Sequence, residues 1–127
     1  MPLGTLLRIA GLLALVYGIG FLFVPARVLS LYGVAAEPAA VLLMARFFGA
    51  ALVQLGLVLY LIRDVSDFTT RRGVVLGSFL GSLAGFVVSL TAQFWGLVNS
   101  FGWSSVAIYG VLLLGYGSFV FGRPRTA

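Results

Sequence analysis

Hydrophobic residues fill this chain in four long blocks, separated by short stretches where proline, polar and charged residues collect. The blocks run over residues 3–24, 39–62, 73–98 and 103–121. Each holds roughly 19–26 residues, and at about 1.5 Å of rise per residue such a helix crosses about 30 Å of hydrocarbon. The pattern predicts an all-α membrane protein, a single domain of four transmembrane helices in an up-down bundle. Pro25 stops the first block and Glu37-Pro38 opens the second, since proline at a first helical position gives up an N–H that has no partner anyway.

The segments between blocks carry less. Val28, Leu29, Leu31, Tyr32 and Val34 would let residues 25–38 lie in the headgroup region as a short interfacial helix. Residues 63–72, with mixed charges, read as a solvated loop without a site. The first block is longer than a signal-peptide core and no clean small-x-small cleavage site follows, so it reads as a retained span.

Composition agrees on the solvent. Of 127 residues, 61% are apolar and 9% charged, against about 45–50% and about 25% in soluble domains. A chain this short cannot cover so much apolar surface with polar groups, so lipid surrounds it. The net charge of +5 is carried by arginine without lysine. Arg8, Arg63, Arg71, Arg72, Arg123 and Arg125 fall on one side of the blocks, Arg27 on the other, and Arg46 inside the second block. That bias is a topology signal rather than a nucleic-acid footprint, and it places both termini in the cytoplasm. An arginine-only basic set rich in Ala, Gly, Leu and Val suits a GC-rich bacterial genome, hence a multi-pass protein of the bacterial cytoplasmic (inner) membrane. Trp95 and Trp103 flank the last external loop, where an aromatic belt belongs.

Glycine spacing predicts how the helices pack. Gly11 and Gly18 in the first span, and Gly49 and Gly56 in the second, are seven apart, which keeps small residues on one stripe of a left-handed crossing. In the third span Gly73, Gly77, Gly81 and Gly85 step by four, a run that lets two backbones approach closely. The third span is therefore expected to make the closest helix contact, either within the chain or with another copy or subunit.

The segments Leu6-Leu7-Arg8-Ile9-Ala10-Gly11, Leu31-Tyr32-Gly33 after Pro25, and Ala45-Arg46-Phe47-Phe48-Gly49 with Gly56 resemble the small bacterial four-helix membrane proteins of the broad DoxX-like kind. The resemblance covers roughly the first half of the chain. It implies the four-helix topology and transfers no catalytic residue.

The chemistry is sparse. Without cysteine or histidine the chain has no thiolate or imidazole ligand for a metal, an iron–sulfur cluster or a haem. Glu37, Asp64 and Asp67 are the acids, and all fall between blocks, so no intramembrane carboxylate is available for ion coupling or as a base. Neither enzymatic activity nor a cofactor is expected. Arg46 stands out, about 10 Å below the outer boundary by helical rise. Counting along the other spans places Tyr17, Ser89, Gln93 and Tyr109 in the same outer layer, where hydroxyl, amide and ring groups could hold a guanidinium or an anion beside it. The expected function is a structural or accessory subunit of a larger membrane (bioenergetic) complex. The alternative is a lipid-, quinone- or small-anion-binding protein or passive conduit with Arg46 at its entrance. Expected partners are membrane lipids and other membrane subunits or a second copy through the third span.

Overall fold

A computed structural model describes residues 1–122; Arg123 and Arg125, part of the arginine bias, lie outside them. The chain is all-helical over five elements: α1 (Leu3–Phe23), α2 (Pro25–Leu31), α3 (Ala39–Leu61), α4 (Phe68–Phe94) and α5 (Gly102–Phe121). Four of them, α1, α3, α4 and α5, are long and apolar enough to cross a membrane. The chain divides into two compact units, Met1–Asp64 and Val65–Ala127, each built on one pair of long helices.

In the first unit, Gly4 faces Arg63, Gly11 faces Gly56, and Gly18 faces Gly49. Numbers rise along α1 as they fall along α3, so the pair is antiparallel, and the contact recurs every seven residues down the helix. A β-carbon added at Gly11 would lie 2.9 Å from the Gly56 carbonyl oxygen, and one at Gly56 would lie 2.7 Å from that of Gly11. Gly18 and Gly49 repeat the relation at 2.9 and 2.8 Å. Each glycine thus receives the carbonyl of its opposite number. Helices in lipid gain nothing from excluding water, so approach of this kind, with its dispersion and weak Cα–H···O contacts, is what holds them together. Leu7, Ala10, Ala14 and Phe21 of α1 and Ala45 and Leu59 of α3 are buried around this seam.

The second unit is built differently. Phe79 packs edge-on to Phe121 with ring centroids 5.6 Å apart, Phe94 meets Trp103 at 6.2 Å, and the Tyr109 ring lies against Gly85. Gly110 and Gly117 of α5 receive the rings of Phe86 and Phe79, each 3.4 Å from an added β-carbon. Residues again descend as their partners ascend, so α4 and α5 are antiparallel too.

The expectation that the third span makes the closest contact within the chain is corrected here. A β-carbon at Gly73, Gly77 or Gly81 would meet nothing within 4 Å, and only Gly85 of that series packs. The closest crossing is α1 with α3. The reason is angular: α4 presents Val75, Phe79, Ser82 and Phe86 to its interior, and Gly81 stands about 100° round the helix from Ser82.

Helix ends explain the remaining differences from the pattern. α4 begins at Phe68, inside the stretch read as a loop, because Asp67 caps it: its carboxylate accepts from the Thr70 backbone N–H at 2.9 Å and the Thr70 hydroxyl at 2.7 Å. That carboxyl is held below the usual carboxylate range, chiefly by the backbone bond. α4 stops at Phe94 because Gly96 takes φ +69°, and the amides of Gly96 and Leu97 turn back to the carbonyls of Gln93 and Ala92. Gly33 ends α2 in the same manner, at φ +72° with Val34 bonded back to Leu29. Pro38 is the residue before α3 rather than its first residue.

Candidate functional site

Arg46 sits on α3 one residue after buried Ala45, which turns its side chain about 100° out of the α1 seam. It is exposed. Among the described residues of its unit, the guanidinium makes no hydrogen bond, ion pair or ring contact. Phe48, beside it, packs edge-on to Phe21 of α1 at 5.1 Å. Tyr17, half-buried, belongs to the same unit, one residue before Gly18 of the seam.

Ser89, Gln93 and Tyr109 belong to the second unit. The Ser89 hydroxyl donates to the carbonyls of Gly85 and Phe86 at 2.8 and 3.1 Å, satisfying itself on its own helix. Gln93 donates through Nε2 to the Asn99 carbonyl at 3.2 Å, bracing the turn between α4 and α5, and its Oε1 is buried. Asn99 in turn accepts from the Phe101 amide at 3.0 Å. Tyr109 covers Gly85, one helical turn from Ser89. The structure thus gathers Ser89, Gly85 and Tyr109 at one level of the α4–α5 pair. Each has a packing or capping role there.

A second polar cluster escaped the sequence reading. At the opposite end of the first unit the Arg63 guanidinium lies over the Tyr60 ring at 4.5 Å and donates to the Tyr60 carbonyl at 2.8 Å. Asp64 stands 3.8 Å from both Arg63 Nε and Arg8 Nη2. The Arg8–Asp64 pair ties the start of α1 to the end of α3, while the Arg63 contacts are local to that end. The acid is exposed, so each pair contributes only about 0–1 kcal/mol. The signal for it was the adjacency of Arg63 and Asp64; what brings Arg8 alongside is the register of the hairpin.

Chemically, then, the described residues offer cations, hydroxyls and aromatic rings. No group of three His, Cys, Asp or Glu gathers among them. Comparison with known proteins returns nothing: no family model, no curated protein and no solved structure matches this chain.

Proposed function

We propose that this protein is a non-catalytic membrane subunit that joins a larger assembly by receiving another transmembrane helix against α4. The observation that carries the reading is the contrast between glycines. Those of α1 and α3 are filled by each other's carbonyls, whereas Gly73, Gly77 and Gly81 share an exposed face on which an added β-carbon meets nothing. Glycines four apart weaken a helix unless something uses the space, and in lipid the user is a second backbone. The spans carry no acid, lysine, histidine or cysteine, which leaves little with which to catalyse a reaction. On this reading the protein resides in a bacterial cytoplasmic membrane with both termini inside, the side favoured by the arginines.

The chain has no cysteine, so single cysteines report cleanly. Oxidative cross-linking in native membranes should trap Gly77→Cys and Gly81→Cys in a higher-mass species, and Leu83→Cys, exposed on another face of α4, far less. A product of twice 13.5 kDa identifies a second copy as the partner, and its absence excludes one. Equal trapping at all three positions would overturn the assembly reading. Alkaline phosphatase fused after Ala127 should be inactive; activity there would reverse the orientation.

A second reading, a binding protein for a lipid, quinone or small anion, is favoured by one observation, the guanidinium of Arg46, unpaired among the described residues of its unit.

A further inference from the structure

The depth of Arg46 can be read against α2. The chain turns at Val24, φ −132° and ψ 55°, before α2 begins. A helix continuing straight would place residues eight apart about 12 Å from each other along its axis. Instead a Val28 methyl carbon lies 3.2 Å from where a β-carbon on Gly20 would stand. α2 is therefore folded back beside the last turns of α1. With Gly18 opposite Gly49, Gly20 stands level with Phe47, the neighbour of Arg46.

α2 is not a segment that hydrocarbon would accept. It exposes the guanidinium of Arg27 and also Ser30, whose hydroxyl is used on the Arg27 carbonyl at 2.6 Å. A short helix that exposes an arginine and rests Val28 against α1 belongs among lipid headgroups. The layer it occupies is then the headgroup layer, and Arg46 stands in that layer rather than in the apolar interior. Arg27 and Arg46 are the two cations of this end of the unit. Neither makes an ion pair or side-chain hydrogen bond among the described residues of the unit, and Glu37, the acid of this end, is in no ion pair either. Exposed Phe47 and Phe48 follow Arg46 along α3 on the side that runs into the bilayer.

We propose that Arg46 and Arg27 bind the phosphate of an anionic phospholipid in the leaflet where α2 lies, with the acyl chains along Phe47 and Phe48. A guanidinium offers several N–H donors in a planar fork suited to phosphate oxygens, and the bonds are charge-assisted. Two arginines with one unpaired acid favour a lipid of net negative charge over a zwitterion. The proposal narrows the second functional reading to one ligand class and adds Arg27. It does not depend on α4, so the cross-linking experiment can fail while this one succeeds.

The test is native mass spectrometry of the full chain from detergent micelles doped with phosphatidylglycerol, with phosphatidylcholine, or with inorganic phosphate alone. The wild-type protein should retain phosphatidylglycerol. Arg46→Gln should lower that retention about tenfold, the scale of one charge-assisted hydrogen bond. Arg27→Gln/Arg46→Gln should lower it further, Arg46→Lys should restore it in part, and Arg72→Gln should leave it unchanged. Melting temperatures in undoped micelles should match across the set, which separates lost binding from lost fold. Equal retention of phosphatidylcholine, unchanged retention in Arg46→Gln, or competition by inorganic phosphate as strong as by lipid would each overturn the proposal.

Discussion

The two helix pairs solve one packing problem by opposite means. α1 and α3 delete side chains, so that glycine meets glycine and backbones touch through their carbonyls. α4 and α5 interpose rings, with Phe79, Phe86 and Tyr109 against glycines of the facing helix and Tyr116 wholly buried. Rings bury a large area and tolerate a small shift. A glycine seam tolerates none, because the atoms it must clear are backbone and cannot change rotamer. The difference also determines where a small residue is structural and where it is spare. Gly49 and Gly56 are structural. Gly73, Gly77 and Gly81 contribute nothing to their own pair, although they form the more regular motif in the sequence.

The largest expected effect tests that contrast directly. Gly49→Leu or Gly56→Leu should abolish the α1–α3 hairpin, and even Gly49→Ala should cost about 1–3 kcal/mol, since its β-carbon would lie 2.6 Å from the Leu22 amide nitrogen. Gly81→Ala should do the reverse and stabilise α4 by up to about 1 kcal/mol through helix propensity alone. Thermal unfolding in micelles measures both, and a Gly81→Ala loss as large as that of Gly49→Ala would dissolve the distinction between the units. Gly4→Leu, facing the Arg63 carbonyl at 2.7 Å, should for the same reason hurt folding more than Gly77→Leu. An intermediate effect sharpens the comparison: Gly77→Leu should leave the melting temperature unchanged while suppressing the Gly81→Cys cross-link.

The smallest effect concerns the cap of α4. Asp67 has a lowered carboxyl pKa in the folded chain, so the stability its ionised form provides is present above the ordinary carboxylate range. It is lost as pH falls through the depressed value. Protection of the Thr70 amide from hydrogen exchange, corrected for intrinsic rate, should persist at mildly acidic pH and disappear below that range. In Asp67→Ala it should be weak at every pH. A Thr70 amide equally protected in the variant would show that the cap contributes nothing.

Four spans, their approximate limits and the importance of seven-residue glycine spacing were legible in the chain, because each rests on local quantities: apolar run length, rise per residue and the angle between positions. α1 and α3 were bounded to within a residue. α4 was misplaced at both ends, since a run of apolar residues does not reveal that Asp67 has found the Thr70 amide or that Gly96 has turned left-handed. For the four residues grouped with Arg46 by depth, counting along separate helices gave a level but no azimuth. Ser89 bonds to carbonyls of its own helix, and Gln93 donates to the loop it braces, its buried Oε1 accepting nothing among the described residues.

What the sequence determined by itself is the solvent and the number of crossings. Lipid is dictated by 61% apolar residues, and no arrangement of the helices could change that. What the tertiary structure decided is which glycines meet a backbone and which face outward. The four spanning helices are apolar nearly all round over their central turns, so hydrophobicity marks no inner face as it would in water. The inner face is chosen by shape, and shape is a property of two helices in register rather than of one helix read along its length. The surroundings of α2 belong to the same class, since only the fold of the chain back toward Gly20 sets Val28 against the last turns of α1.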